Sequence, residues 1–180
     1  MTETSKISVD QAARISADFS DKSIWIFDLD NTLYPAHSNL FAQVDYRMGS
    51  FVSEFLGIDR VEARKIQKKY YREYGTTLSG LMICHNLDPH RYLNYVHKID
   101  LSPISPDAAL NDALARLPGR KLILTNGSVK HAENVTGKLG ILHHFDDIFD
   151  IVAADFIPKP ARSTYEKFMQ RADIAPQSAA

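Results

Sequence analysis

Two carboxylates lie one residue apart in the stretch FDLDNTLYP, residues 27–35: Asp28 and Asp30. The residues before them, Ser23-Ile24-Trp25-Ile26-Phe27, form a short apolar run rich in β-formers, as in a strand covered on both faces. In an extended chain, side chains two apart point to the same side. The two aspartates would then share one small volume where the strand ends, and like charges repel. Fold stability gives no reason to build this. A bound cation, or a role in chemistry, does. Thr125-Asn126, Asp155 and Lys159 also fall at or just beyond the C-terminal end of a predicted strand. Open α/β sheets bind ligands in that place.

Each position also has a purely structural reading. Asp28 and Asp30 suit turn or helix caps, and Thr125-Asn126-Gly127 suits a turn. Lys159, between Pro158 and Pro160, suits a surface loop. Their joint order and placement favour chemistry.

The elements that must position these residues are legible as patterns. Residues 1–22 read as a short helix or loose arm, and residues 23–28 as strand one. The middle of the chain is helical. Phe41, Val44, Met48, Phe51, Val52 and Phe55 recur at helical spacing, and Gly57 ends them. Asp59 caps a second helix that runs to Tyr74, with Ala63, Ile66, Tyr70, Tyr71 and Tyr74 on one side and six basic residues on the other. A shorter helix spans 77–86, and Asp88-Pro89 opens another to about Lys98. Alternation then returns: a helix over 107–117, a strand over 121–125, a helix over 128–139 ended by Gly140, a strand over 149–152 and a helix over 163–172. This order predicts βαβ units on a parallel sheet. The fold class is α/β, a three-layer Rossmann-like core with an all-helical cap inserted after the first strand. The expected domains are an arm at 1–22, a core of 23–36 and 100–180, and a cap of 37–99.

Composition sets bounds. The 180 residues hold 44% apolar and 24% charged side chains and a net charge of −1, ordinary for a globular chain. No overall field favours nucleic acid or an anionic membrane. The one cysteine, Cys84, excludes an intrachain disulfide and fits a reducing, cytoplasmic setting. It reads as a buried small apolar residue. The first residues carry acids and no apolar core, so no signal peptide is expected, and no apolar stretch is long enough to span a bilayer.

FDLDNTLYP, then LTNGS, then PKP resembles the haloacid dehalogenase-like superfamily of hydrolases, in wording nearest its pyrimidine 5′-nucleotidase-like branch. The resemblance covers roughly residues 23–175, and the first motif is its most specific part. It implies that Asp28 is a nucleophile forming an aspartyl-phosphate and that Asp30 is the general acid and base. It implies Mg²⁺ held by Asp28 and the Asp30 backbone carbonyl, phosphate binding by Thr125 and the backbone near Asn126, and charge compensation by Lys159. Dehalogenases of the superfamily lack the second aspartate, so Asp30 favours phosphatase chemistry. The implied partner is a small-molecule phosphate ester, a pyrimidine nucleoside 5′-monophosphate first, with no nucleic acid or membrane.

The family's fourth motif, an acidic pair after a further strand, has no counterpart before Ala180, and Asp173 lies too early to replace it. The resemblance therefore implies a truncated product with weak Mg²⁺ affinity and an open sheet edge, which invites homodimerisation. Rival readings are another sugar-phosphate phosphatase or a phosphomutase, and a remnant that binds ligand or partner without turnover. Among smaller signals, Thr77 in the segment GTTL is a candidate specificity residue facing the catalytic site. The basic residues from Arg60 to Arg72 read as a solvated face, and the tyrosines at 70, 71 and 74 as cap core. His143-His144 is expected to meet helix-end carbonyls. Asp155 is a candidate support for the lysine loop.

Overall fold

The computed structural model describes residue 19, residues 21–175 and residues 178–179; the arm expected at 1–22 lies almost wholly outside them. Strands β1 (Ile24–Phe27), β2 (Arg120–Leu124) and β3 (Asp147–Phe149) form one parallel sheet in that order. Ile24 pairs with Arg120 through to Phe27 with Ile123, and Leu122 with Asp147 through to Leu124 with Phe149. Parallel neighbours need long crossovers. Between β1 and β2 the chain builds α1 (Leu40–Leu56), α2 (Arg60–Tyr74), α3 (Thr77–His85), α4 (Pro89–Val96) and α5 (Ala108–Arg116). Helix α6 (Val129–Leu139) joins β2 to β3, and α7 (Arg162–Ala172) follows. On the side of β1 away from β2, Ala179 bridges Ile24 in parallel, so the sheet edge expected to be open is occupied at that residue.

The caps read from the sequence set the helix ends. The Asp59 carboxylate accepts from the N–H groups of Val61 and Glu62, and Asp88 accepts from His90 with Pro89 at the first position. Gly57 and Gly140 close α1 and α6 in the left-handed conformation.

Alternation along β2 makes the layers. Ile123 points to one face, against Leu114 of α5 and Val135 and Leu139 of α6. Leu122 and Leu124 point to the other, against Phe168 and Ala172 of α7. Helices α1–α4 bury their own cluster, which includes Phe51, Ala63, Tyr70, Leu81, Tyr92 and Val96. Ile151 and Phe156, from beyond β3, pack into that cluster and join it to the core. No helix among the described residues is long and apolar enough to cross a membrane.

Several expectations need correction. The third strand is Asp147–Phe149, not 149–152. Asp150 ends it, because its carboxylate accepts from Val129 N at 3.0 Å and from Ala153 N at 2.8 Å, and Ile151 turns toward the cap. On α2 the buried row is Ala63, Gln67 and Tyr70, while Tyr71 is 64% exposed. Gln67 can be buried because Asp45 accepts from its amide at 2.9 Å and its own oxygen accepts from Arg64 at 3.1 Å. Cys84 is exposed, its Sγ 3.4 Å from the Tyr74 hydroxyl. His144 reaches the side chain of Asn111 at 2.9 Å rather than a helix-end carbonyl.

Candidate active site

The turn after β1 holds both aspartates in place by burying Leu29 and Leu33 in the core beneath them. Asp28 stays at the surface of the turn, its side chain 43% exposed. Its Oδ2 accepts from the Thr32 hydroxyl at 2.9 Å, and its Oδ1 accepts from the Lys159 ammonium at 2.7 Å. The same ammonium donates to the carbonyl of Leu124, the last residue of β2, at 2.6 Å. Residues 131 apart in the chain therefore meet across the ends of two strands.

Asn126 supports this lysine. Its Oδ1 accepts from the Lys159 backbone N–H at 2.7 Å and its Nδ2 donates to the Lys159 carbonyl at 3.2 Å. The side chain of Asn126 is thus engaged with the lysine loop, and its backbone is what remains for a ligand. Thr125 is buried. Its Oγ1 accepts from Gly127 N at 2.9 Å, and its O–H has no acceptor among the described residues. Asp155 does not support the loop; it pairs with Lys167.

The two carboxylates have different surroundings. The Asp30 side chain is 18% exposed. Its Oδ1 accepts from the Tyr34 hydroxyl at 2.6 Å and is 2.9 Å from Nε2 of His131, a residue of α6. Burial pushes the Asp30 carboxyl up, but the hydrogen bond and charge of His131 and the bond from Tyr34 outweigh it and hold the group below the usual carboxylate value. The Tyr34 phenol is pushed up by burial and then by the adjacent Asp30 charge. His131 is 1% exposed and stacks on His97, with ring centroids 4.3 Å apart and planes 10° from parallel. Burial first, and His131 second, pull the His97 imidazole down to about 3. Tyr34, His97 and His131 escaped the reading of the sequence. Tyr34 stood inside the quoted motif, four residues past Asp30, and that spacing in a turn was the available signal.

A cleft of about 1000 Å³, large enough for a small ligand, opens beside these groups; Asp30 and Lys159 line it, whereas Asp28 and Thr125 lie outside its lining. Asp30, Asn126, Gly127 and Lys159 line its floor, and Lys68, Tyr71, Arg72 and residues 75–78 of the cap line its roof. Some of the face read as solvated therefore looks into the cleft. Thr77 lines it too, but its hydroxyl donates to the Gln67 carbonyl at 3.3 Å. Gly75 closes the roof against the lysine loop: its φ is +80°, and a Cβ there would stand 3.3 Å from Pro158.

Residues 24–180 match the family model of the haloacid dehalogenase-like hydrolases. The chain belongs to that family. Among curated proteins it is 30% identical over 162 residues to phosphate metabolism protein 8 of Saccharomyces cerevisiae, with 81% of this chain and 50% of that protein covered. The chain thus spans about half the length of this relative. Among solved structures, the L-2-haloacid dehalogenase of Xanthobacter autotrophicus matches with a TM-score of 0.51 at 16% identity, covering 88% of this chain and 68% of that one. A haloacid dehalogenase-like phosphatase from Thermococcus onnurineus matches with a TM-score of 0.51 at 19% identity, covering 88% and 74%. At these identities the two structures show a shared fold. In this haloacid dehalogenase-like hydrolase, Lys159 meets Asp28 and the Leu124 carbonyl at the ends of β1 and β2.

Proposed function

We propose that the chain hydrolyses phosphate monoesters through an aspartyl-phosphate on Asp28, with pyrimidine nucleoside 5′-monophosphates as the first candidates. The contrast between the two aspartates carries this reading. Asp28 is accessible and faces the Lys159 ammonium at 2.7 Å, while Asp30 is recessed and held by Tyr34 and His131. Carboxylates kept in such different surroundings can divide the roles of nucleophile and acid–base. The phosphate word in the yeast relative's name agrees with it, and the pyrimidine preference rests on the resemblance of FDLDNTLYP alone.

An Asp28 oxygen attacks phosphorus as the bond to the leaving oxygen breaks, and Asp30, which must first take up a proton against the pull of His131 and Tyr34, gives that proton to the leaving oxygen. Asp30 then takes a proton from water, whose oxygen attacks phosphorus and frees Asp28 and inorganic phosphate. Lys159 offsets the charge that gathers on Asp28 and the phosphoryl group, and the Thr125 hydroxyl donates to a phosphoryl oxygen.

The residues fit Mg²⁺ in part. The exposed Asp28 carboxylate and the Asp30 backbone carbonyl are hard oxygen donors of the kind it takes. Among the described residues no cluster of three or more acidic, histidine or cysteine side chains is placed to hold a metal. The ion would be held by these two groups and water, weakly, and would neutralise charge between carboxylate and phosphate.

The test is phosphate release from a panel of 5′-mononucleotides and sugar phosphates, with and without Mg²⁺, beside an Asp28→Asn control. Release that needs Mg²⁺ and is lost in the control is expected, with the panel ranking the substrates. Release that survives Asp28→Asn, or none from any ester, counts against the proposal.

A further inference from the structure

Both donors to the Asp30 carboxyl, the Tyr34 hydroxyl at 2.6 Å and His131 Nε2 at 2.9 Å, converge on one oxygen, Oδ1. The other oxygen, Oδ2, has no partner among the described residues, and Asp30 lines the cleft. A carboxyl held this way cannot rotate without breaking two bonds, one of them to a side chain 1% exposed. The imidazole is itself fixed. It stacks on His97, whose Nδ1 lies 3.0 Å from the hydroxyl of Ser128, and Ser128 also caps α6 by accepting from the His131 N–H at 3.3 Å. His97 directly follows α4, the last helix of the cap, so the stack ties the cap's exit to the acid–base residue.

We propose that His131 is a positioning residue that, with Tyr34, commits Oδ1 of Asp30 and so directs Oδ2 at the leaving oxygen of the substrate. The proposal rests on the phosphatase reading above and adds to it which oxygen moves the proton and what aims it. The bond to the carboxylate requires a hydrogen on Nε2. A purely structural histidine would support the fold without favouring one kind of ester.

Leaving-group dependence separates the two. p-Nitrophenyl phosphate expels a stable phenolate and needs little proton donation, whereas uridine 5′-monophosphate expels an alkoxide and needs it fully. For His131→Phe, kcat on the nucleotide is expected to fall about 100-fold, the lower end of a general acid's contribution. On the nitrophenyl ester the fall should stay below about tenfold, with KM nearly unchanged on both. His131→Gln, which keeps an N–H at that reach, should recover most of the nucleotide rate, and Tyr34→Phe should show the same split. Equal losses on the two esters, or no loss on either, overturn the proposal. If His131→Phe does not fold, His131→Gln and Tyr34→Phe decide it by their split.

A second readout needs no turnover. The ring Nε2–H of His131 should give a low-field proton resonance in the nitrogen-15-labelled protein that shifts in Asp30→Asn. Its absence, or its indifference to that substitution, overturns the proposal in an active enzyme as in an inactive one. A wild type that hydrolyses neither ester sinks the phosphatase reading, while the resonance still decides whether His131 holds Asp30.

Discussion

Lys159 sets its ammonium between the Asp28 carboxylate at 2.7 Å and the Leu124 carbonyl at 2.6 Å. A carbonyl alone would not require a full charge there; the carboxylate does, and so would the phosphate of the proposed substrate. Lys159→Met keeps most of the stem and removes the charge. Its kcat/KM for phosphate release is expected to fall about 10²–10³-fold, with an unfolding transition near that of the wild type. Steady-state kinetics and a melting curve measure both, and an activity within a few-fold of wild type would leave the lysine a structural tether only. At this scale the meeting of Asp28 with Lys159 was legible, because both residues fall at or just beyond predicted strand ends, where open α/β sheets gather polar groups. The grip of Asn126 on the Lys159 backbone was not, since an Asn-Gly pair reads first as a turn. Nor was His131, which stands 101 residues from Asp30 and occupies a buried position like any other on an amphipathic helix.

Helix boundaries were legible to within a residue or two, because each end carries its own chemistry. Asp59, Asp88 and Ser128 supply acceptors at N-termini, and Gly57 and Gly140 supply left-handed C-termini. The third strand was misplaced because Ile151 and Val152 are apolar for a different reason: they meet the cap, not the sheet. An apolar run says that a segment is buried but not against what. The same limit hid how closely α2 and α3 approach. A Cβ on Gly80 would lie 2.3 Å from Cγ of Tyr70, whose hydroxyl is bonded to His85 at 2.7 Å. Gly80→Ala would gain about 1 kcal/mol of helix propensity. The clash is with the fixed root of the ring, so overpacking of about 1–3 kcal/mol outweighs that gain. A melting midpoint several degrees below wild type is expected, and an unchanged or raised midpoint would mean that the two helices part freely.

The described residues pack into three clusters, one in the cap and one on each face of the sheet, and the groups that join cap to core are buried or half-buried beside the cleft. Ile151 and Phe156 cross from the core into the cap cluster, and His97 lies against His131 beneath the cleft. This junction should make the fold sensitive to acid in a defined window. In the unfolded chain His97 titrates near 6.5, and in the folded one burial and its neighbour lower it to about 3. Between those values the unfolded chain binds more protons, so stability is full above about pH 6.5 and falls as the pH drops toward 3. The slope from one such group is at most about 1.4 kcal/mol per pH unit. Asp30 is lowered from 3.8, so its contribution is lost only at still lower pH; just below 6.5 His144, also lowered by burial and its neighbours, adds to the effect, and the His97 share is what a variant lacking that imidazole removes. His97→Phe keeps a ring for the stack and removes the titrating group. Urea unfolding at intervals between about pH 4 and 6.5 should show wild-type stability falling more steeply with acid than that of the variant. Parallel curves would mean that His97 carries its proton in the folded chain, so that the joint between cap and core is open to water.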